Sequence, residues 1–464
     1  MRLFFILTAF GLGWPPAFSQ QPASRPNIIL ILADDLGWAD LSCYGNRFNE
    51  TPALDSLARR GLRFTRAYAA CPVCSPSRTA ILTGQTPARA GVTDWLPGRK
   101  SVTGSVPSDK VLSAETAQFL DPALPTLPRT LRERGYATVQ VGKWHLGEHT
   151  DRTRYAPTAY GFDVALKART ASGANDPNGG PEYHTDRLTD EALGWMENHL
   201  RQPGGTQPFF LYLAHDAVHI PIRTKPGLLR KYQAKQAAMA GDSAFKNPHY
   251  AALLESLDQN VGRVMALLRR TGLDRNTIVI FTSDNGGLHV EEGPLTPATS
   301  NAPLRGGKGY TYEGGVRVPF LAYLPGVATT PGVSDEIVWG ADFFPTLCAL
   351  AGVPVPDGAV VDGRNVADAL RGGKAPERPL FWHYPHYSNQ KSTPSGAVRM
   401  GDWKLVESYE TGRRELFNLR RDPGETHDLA AQHPRETSKL ARLLDEYRRR
   451  VGAKMPLPKP ASQP

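Results

Sequence analysis

Short, almost entirely apolar segments recur over roughly the first 350 residues of this chain and limit the folds that it can adopt. The clearest is Asn27–Ala33, in which every residue after the asparagine is apolar. Continuous apolar runs of this length are typical of strands buried on both faces of a parallel sheet. Similar segments lie at residues 137–141, 208–214, 277–282 and 316–323. Because amphipathic stretches separate them, the sequence predicts an α/β fold with a large, mostly parallel sheet between helices.

The amphipathic stretches carry helix signals. Asn247 and Pro248 fit an N-cap and the first helical position, and Gly272 fits the end of the same helix. Between them, apolar side chains recur at helical spacing at Leu254, Leu257, Val261, Val264 and Leu268. Helices are also predicted over residues 51–61 and 185–200. Long loops, of the kind that surround functional sites, are predicted over residues 90–125, 150–182 and 286–312, which lack periodicity.

The pattern changes after Gly363. Short apolar segments separated by turn residues predict strands over residues 380–383, 397–408 and 415–419. The spacing of apolar residues in Pro434–Val451 predicts an amphipathic helix. We therefore expect a main domain over residues 24–370 and a C-terminal α+β subdomain with a short antiparallel sheet over residues 375–464, closing one side of a cleft.

The N-terminus has the features of a secretory signal peptide over residues 1–20. Arg2 precedes an apolar run over residues 3–12, and Ala17-Phe18-Ser19 has small residues at the two positions that define a cleavage site. The pattern predicts an exported protein, periplasmic or secreted. The apolar run is shorter than the ~20 residues that a spanning helix needs, so no integral membrane segment is expected.

The net charge bears on the class of partner, and the cysteine count bears on the presence of disulfides. Lys and Arg number 54 against 45 Asp and Glu, a formal net charge of +9, which favours anionic partners. No basic block is interleaved with aromatic residues, so a nucleic-acid partner is not expected. Four cysteines are too few for a disulfide framework in a chain of this length. Whether any of Cys43, Cys71 and Cys348 form a disulfide stays open.

The segment Cys74-Ser75-Pro76-Ser77-Arg78 combines a nucleophile, a helix start and a cation. Pro76 fits the first helical position, which places Cys74 just before the helix and Arg78 within its first turn. A helix N-terminus offers free N–H groups and partial positive charge, so the arrangement suits attack on an anionic ester. A buried cysteine followed by an ordinary helix explains the same residues.

This segment, followed by Leu82-Thr83-Gly84, resembles the signature of the type I sulfatases, whose cysteine is oxidised after translation to formylglycine (3-oxoalanine). Other blocks similar to that family are Asp34-Asp35, residues 142–147, residues 215–221, Asp284-Asn285 and residues 304–319. The resemblance covers nearly the whole chain after residue 20. It implies an alkaline-phosphatase-like sandwich, hydrolysis of sulfate monoesters, and a formylglycine-generating enzyme that matures Cys74.

Carboxylates follow two of the predicted strands. Asp34-Asp35 closes the first strand and Asp284-Asn285 closes the strand at residues 277–282, and ligands of open α/β sheets gather beyond such strand ends. Three carboxylates and an amide oxygen favour Ca²⁺ or Mg²⁺ over Zn²⁺. The resemblance implies one Ca²⁺ per chain, held by Asp34, Asp35, Asp284 and Asn285, with residue 74 completing the shell. The alternative role for Asp34-Asp35 is to cap a helix, and the alternative role for Asp284-Asn285 is to form a turn.

The remaining candidate residues carry positive charge or can transfer a proton. Lys143 and His145 leave one predicted strand, His219 follows another, and Lys308 lies in a glycine-rich loop. The resemblance implies that Arg78, Lys143 and Lys308 hold sulfate oxygens. It also implies that His219 or Lys308 protonates the leaving oxygen, that His145 assists sulfate release and that Asp284 activates the hydrated aldehyde of residue 74.

Three neighbouring residues are assigned structural roles. We interpret His215 as a hydrogen-bonded structural imidazole, and Glu313 and Arg317 as architectural supports of the Lys308 loop. Val218 stands where the family often has proline, so the alignment of the His219 block is less well defined.

Two other functions remain open. A phosphate or phosphonate monoester hydrolase of the same superfamily would more naturally use Ser or Thr with a histidine-rich two-metal site. A non-catalytic sulfoglycan-binding protein would result if Cys74 stayed unmodified. The expected substrate is a sulfated carbohydrate or an aryl sulfate. The aromatic and histidine cluster at residues 381–386 would either stack on a sugar or pack as an edge strand.

Overall fold

The computed structural model describes residues 25–98, 108–147, 153–167, 184–203, 207–239, 241–242, 244–325 and 332–459. The predicted signal peptide at residues 1–20 lies outside these ranges, as do residues 99–107, 150–152 and 168–182 of two predicted loops. Within the described ranges, no helix has the length and apolar character needed to cross a membrane.

The secondary-structure elements alternate along the chain as the sequence predicts. The strands are β1 Asn27–Ala33, β2 Leu62–Tyr68, β3 Val111–Leu112, β4 Ala137–Gly142, β5 Val164–Leu166, β6 Phe209–Ala214, β7 Thr277–Ser283, β8 Arg317–Tyr323, β9 Gly332–Trp339, β10 Leu380–Tyr384, β11 Ser395–Met400, β12 Trp403–Ser408, β13 Arg414–Asn418 and β14 Leu457–Pro458. The α-helices are α1 Pro52–Arg60, α2 Cys74–Thr83, α3 Pro87–Ala90, α4 Leu127–Arg132, α5 His184–Arg201, α6 Pro226–Ala238, α7 Pro248–Thr271, α8 Glu313–Val316, α9 Phe343–Leu350, α10 Ala367–Leu370 and α11 Pro434–Val451.

Eight strands form one sheet in the order β5-β4-β6-β1-β7-β8-β2-β9. Every neighbouring pair is parallel except the two pairs that include β8. β1 lies between β6 and β7, and all residues of these three strands are buried. The mostly parallel sheet is confirmed, and the burial explains why these strands are apolar along both faces.

Helices cover both faces of this sheet. Successive side chains of β1 point to opposite faces, so Leu30 packs in a core with α4 and α9, whereas Ile31 packs in a core with α5 and α7. The side chain of Asn247 caps α7 by accepting hydrogen bonds from two backbone N–H groups, and Gly272 ends it with a φ of 72°. The limits predicted for α7 are therefore confirmed.

The helix that carries the cysteine begins earlier than predicted. α2 starts at Cys74, with Val73 as its N-cap, so Pro76 occupies the third helical position rather than the first. Proline is tolerated there because the N–H groups of the first turn have no partner within the helix. Cys74 therefore belongs to the first turn of the helix.

Three strands of the large sheet were not predicted. β5 is only three residues long and lies within the predicted loop at residues 150–182, too short to show periodicity. β2 is interrupted by Arg63 and Arg66, and β9 is an edge strand with half-exposed residues. Their sequences therefore lack the continuous apolar run that marks the central strands.

The C-terminal elements form a second, antiparallel sheet in the order β10-β11-β12-β13. Residues 397–408 were predicted as one strand, but they belong to two paired strands, β11 and β12. Gly401 has a φ of 57° between them and allows the chain to reverse. α11 has the predicted limits and packs Leu440 against Val398 of β11.

A buried cluster of charges joins the two sheets. The Nζ atom of Lys404 on β12 lies 2.9 Å from Oε1 of Glu313 and 3.0 Å from Oε1 of Glu425, and all three residues are buried. The Tyr68 hydroxyl on β2 donates to Oε2 of Glu313 at 2.8 Å. Burial would raise the pKa of Glu313, but Lys404 and Arg317 lower it below its usual value. Lys404 is therefore shared by two buried carboxyl groups, and Arg317 is a second cation beside Glu313.

Replacing this lysine with an apolar residue should strongly destabilise the protein. We expect Lys404→Met to lower the free energy of unfolding by about 3–5 kcal/mol, because it removes the cation nearest to two buried carboxyl groups and leaves Glu313 with the more distant Arg317, at 3.6 Å. Urea unfolding followed by circular dichroism measures the change. The matched control is Lys439→Met, which breaks the exposed Lys439–Glu436 pair on α11 and should cost under about 1 kcal/mol. Equal, small losses in both variants would contradict the assigned role of Lys404.

Candidate active site

Four polar side chains meet where β1 and β7 end. The two strands are paired in register, Ala33 opposite Ser283, so the residues that follow them come together at one edge of the sheet. The backbone N–H of Asp35 donates to Oδ1 of Asp284 at 3.2 Å. The amide Nδ2 of Asn285 donates to Oδ1 of Asp35 at 2.7 Å. The strand-end prediction thus places these residues correctly.

Cations stand next to these carboxylates. The guanidinium of Arg78 donates to Oδ2 of Asp284 from Nε at 3.0 Å and from Nη2 at 2.7 Å. The ammonium of Lys308 donates to Oδ2 of Asp35 at 2.8 Å. Burial and neighbouring Asp34 raise the pKa of Asp284 to about 6, although Arg78 opposes them.

Cys74 lies between Asp34, which is the third carboxylate of the site, and Lys143, which is its third cation. Its Sγ is 3.4 Å from Oδ1 of Asp34 and 3.7 Å from Nζ of Lys143, and Lys143 also donates to Asp34. Burial would raise the pKa of Asp34, but Lys143, His219 and Arg78 hold it well below its usual range. Burial and Asp34 raise the pKa of the Cys74 thiol well above its usual value. The site therefore contains three cations beside three carboxyl groups.

Two histidines flank this group. Nε2 of His219 lies 2.9 Å from Nζ of Lys308 and 3.6 Å from Oδ2 of Asp35, so the structure brings His219 into the same group. Burial, followed by Lys308, lowers the pKa of His219. Nε2 of His145 lies 2.7 Å from the carbonyl oxygen of Leu96. Burial, then Lys143 and Arg78, holds its pKa well below the usual range.

The glycine-rich loop holds Lys308 against the strand-end residues. The N–H of Lys308 donates to the carbonyl of Gly287 at 3.1 Å, and that of Gly309 donates to Pro72 at 2.8 Å. A Cβ atom at Gly307 would lie only 2.5 Å from the Gly287 oxygen, so a side chain there would push the loop away. Glu313 bonds to the second sheet as described above, in agreement with its interpretation as an architectural residue.

The donor atoms of the site fit a hard cation. Asp34, Asp35, Cys74 and His219 each offer an atom within 4.8 Å of the others. The buried Oδ1 of Asn285 has no hydrogen-bond partner among the described residues. Carboxylate oxygens together with a free amide oxygen match the preference of Ca²⁺ for oxygen ligands. The oxygen set of Asp34, Asp35, Asp284 and Asn285 therefore fits calcium.

The cluster at residues 381–386 was left with two alternatives, stacking on a sugar or packing as an edge strand, and the structure decides between them. Trp382 and Tyr384 are fully buried and His386 is 2 % exposed, so the cluster at residues 381–386 has no free face for a sugar. Trp382 instead donates from its indole nitrogen to the carbonyl of Ala69, which fits the packing alternative.

The interpretation of His215 as a hydrogen-bonded imidazole needs correction. His215 is fully buried, but among the described residues neither ring nitrogen has a hydrogen-bond partner. Burial lowers its pKa to about 4, so it stays neutral.

Sequence reasoning missed one acidic residue at this edge of the sheet. Asp216 follows β6, and its Oδ2 lies 2.5 Å from Nε2 of His184 at the start of α5. The signal was available, because Asp216 stands at a strand end just as Asp34 and Asp284 do.

Comparison with known proteins agrees with this geometry. A family model described as Sulfatase matches residues 26–353. The chain belongs to the sulfatase family. This sulfatase is therefore a sulfuric ester hydrolase of the alkaline-phosphatase-like superfamily. A second family model, described as N-sulphoglucosamine sulphohydrolase, C-terminal, matches its residues 307–450.

Similar proteins span most of the sulfatase chain. A sulfatase of Formosa agariphila is 33% identical, covering 94% of this chain and 90% of the relative. The N-acetylgalactosamine-6-sulfatase of Canis lupus familiaris is 31% identical, covering 98% of this chain and 85% of the relative. The crystal structure of Ps i-CgsB in complex with k-i-k-neocarrahexaose is similar with a TM-score of 0.74 and 27% identity, covering 91% of this chain and 92% of that chain.

Proposed function

We propose that this sulfatase hydrolyses sulfate monoesters of carbohydrates, using formylglycine derived from Cys74 and one bound Ca²⁺. The observation that carries the proposal is the position of Cys74. It lies in the first turn of α2, 3.4 Å from Asp34 and 3.7 Å from Lys143, beside the oxygen set of the two strand ends. A helix N-terminus with adjacent cations favours an anionic substrate.

The state of the thiol argues for modification of Cys74. Its pKa is raised by burial and by Asp34, so the unmodified side chain would remain a thiol at neutral pH. A thiol is a much weaker nucleophile than a thiolate. Formylglycine would instead supply the hydroxyl groups of a hydrated aldehyde, which need no thiolate. A formylglycine-generating enzyme is the maturation partner that this proposal requires.

The charge balance of the site argues for a bound cation. Three carboxyl groups face three basic side chains, so the charges of the chain nearly cancel. Ca²⁺ held by Asp34, Asp35, Asp284 and Asn285 would supply extra positive charge to sulfate oxygens. The pocket would then carry the net positive charge that suits an anionic ester.

The basic residues divide into those that orient the sulfate group and those that move a proton. Arg78 and Lys143 both contact Oδ2 of Asp34 and are placed to hold sulfate oxygens. Lys308 stays charged beside Asp35 and donates toward Nε2 of His219, so this pair is placed to protonate the leaving oxygen. His145 stays neutral beside Lys143 and Arg78 and is the residue assigned to assist sulfate release. Asp284 is the base assigned to the nucleophile.

The phosphoryl-transfer alternative is less well supported. A histidine-rich two-metal site would need a second group of ligands beside the first. The part of the chain that the structure describes holds a single group of acidic, cysteine and histidine ligands, and only one member is a histidine. The names of the relatives also favour sulfated sugars, since one is an N-acetylgalactosamine-6-sulfatase.

Rates on matched substrates test the proposed function. We expect sulfated mono- and oligosaccharides to be hydrolysed about 10-fold faster or more than the corresponding phosphate esters, with loss of activity on chelation. Sulfate and phosphate release are measured side by side. Faster phosphate release would favour the phosphoryl hydrolase. Binding of sulfated sugar without turnover, by protein whose residue 74 is unmodified, would favour the non-catalytic alternative.

Two further proposals concern organisation and location. We propose a catalytic domain over residues 24–370 and a C-terminal α+β subdomain over residues 375–464. In support, the strands of the large sheet end at Trp339, and the four-stranded sheet begins at Leu380. We also propose export to the periplasm or medium, on the basis of the charge and apolar pattern of residues 1–20.

A further inference from the structure

A carboxylate–imidazole pair lies beside the active site and has no role in the proposed mechanism. Asp216 occupies the turn after β6 that also carries His219. Within this turn, the carbonyl of Ala217 accepts from the N–H of Asp34 at 3.0 Å, and the N–H of Val218 donates to the carbonyl of Asp34 at 2.8 Å. The turn that carries Asp216 is therefore fixed to the backbone of a proposed metal ligand.

The pair faces solvent, unlike the groups around Cys74. The side chains of His184 and Asp216 are 53% and 44% exposed, whereas those of Asp34 and Arg78 are fully buried. Nε2 of His184 lies 2.5 Å from Oδ2 of Asp216, and the other carboxylate oxygen has no hydrogen bond within the described part of the chain. Desolvation would raise the pKa of Asp216, but His184 and then Lys143 lower it, so the carboxylate is ionised.

A carboxylate in this position does not help to bind sulfate. Its negative charge repels an anion held at Lys143, a lysine near enough to lower the pKa of Asp216. An ionised carboxylate is, however, a strong acceptor for a hydroxyl group. The part of a sugar sulfate that remains outside the buried sulfate pocket carries hydroxyl groups.

We propose that Asp216, oriented by His184, determines specificity by accepting a hydrogen bond from a hydroxyl group of the sugar that bears the sulfate. The inference rests on the proposed carbohydrate sulfatase activity and adds to it a residue that binds the alcohol part of the ester. An aryl sulfate offers no such hydroxyl, so the contact contributes only when the alcohol is a sugar.

A comparison of two substrates tests this contact. The sulfated monosaccharide that the wild type cleaves fastest is compared with 4-nitrophenyl sulfate, and the ratio of their kcat/KM values is measured. We expect Asp216→Ala to lower the sugar-to-aryl ratio by about 10- to 100-fold, the loss expected for a hydrogen bond to a charged group. His184→Ala should lower it less, because it removes only the orienting partner. The matched control is Asp190→Ala, which removes an exposed carboxylate from the same helix, α5, and should leave the ratio unchanged.

Deoxy sugars provide an independent readout on the folded wild-type enzyme. One deoxy analogue of the substrate should lose about the same factor with the wild type, while Asp216→Ala, which has no acceptor, should no longer distinguish it from the parent sugar. Equal loss of activity on both esters would overturn the inference and leave the carbohydrate sulfatase intact. Failure of the wild type to cleave any sulfated sugar, with aryl sulfate still hydrolysed, would overturn the proposed substrate class and the inference with it.

Discussion

Replacing Cys74 with alanine should lower kcat/KM for every sulfate ester by about 10⁴-fold or more. Loss of a nucleophile removes the covalent route entirely and leaves only binding and electrostatic stabilisation. Fold and stability should change little, because a small side chain is exchanged in the first turn of α2. Initial rates on 4-nitrophenyl sulfate, together with circular dichroism, measure both effects.

A second buried cysteine provides the control for this prediction. Cys348 lies on α9 in the core that contains Leu30, and its exchange for alanine should lower stability while kcat/KM stays near the wild-type value. Peptide mass analysis of active protein should find that residue 74 has lost its sulfur. Active enzyme in which residue 74 still carries its sulfur would contradict the proposed nucleophile.

Exchange of Asp35 for asparagine should lower kcat/KM by about 10²- to 10³-fold and weaken calcium binding. The carboxylate of Asp35 is in contact with Lys308 and Asn285, so loss of its charge disturbs the cation site and the lysine together. The measurements are rates, and unfolding temperatures during titration of chelated protein with Ca²⁺. Wild-type protein should be stabilised by Ca²⁺, and the variant much less, because a ligand stabilises only the state that binds it.

Asp342 is a matched carboxylate outside the site. It is buried and paired with Arg378, and it accepts hydrogen bonds from the backbone of Trp339 and Arg364. Asp342→Asn should lower the unfolding temperature but keep the wild-type response to Ca²⁺. Full activity of wild-type protein after exhaustive chelation, or an unchanged calcium response in Asp35→Asn, would rule out the proposed metal site.

Local sequence was sufficient for the central strands and for the residues that follow them. β1 and β7 are apolar throughout because they are buried on both faces, and this pattern exists only in such strands or in buried helices. The positions of Asp34 and Asp284 then follow from a general property of parallel sheets. The capped helix α7 was predicted for a similar reason, since Asn247, Pro248 and Gly272 are local signals.

Prediction from local sequence failed where residues distant in the chain determine whether a segment is covered, forms a strand or pairs with another side chain. The rings at residues 381–386 look suitable for a sugar, but the large sheet covers them. β5 is a strand only because β4 pairs with it, and no periodicity can develop in three residues. The strand-end position of Asp216 is visible in the sequence, but its pairing with His184 is not, because His184 lies 32 residues earlier in the chain.

The central parallel strands, the capped helix α7, the cysteine at a helix N-terminus and the polar residues at two strand ends follow from the sequence, because each depends on residues that are close in the chain. The tertiary structure decided which cation meets which carboxylate, where Lys308 joins Asp35 across 273 residues and Arg78 joins Asp284 across 206. It also decided that Cys74 is buried and that the Asp216–His184 pair is open to solvent. Burial and charge neighbours are properties of the packed molecule, and they set the protonation and accessibility on which the chemistry depends.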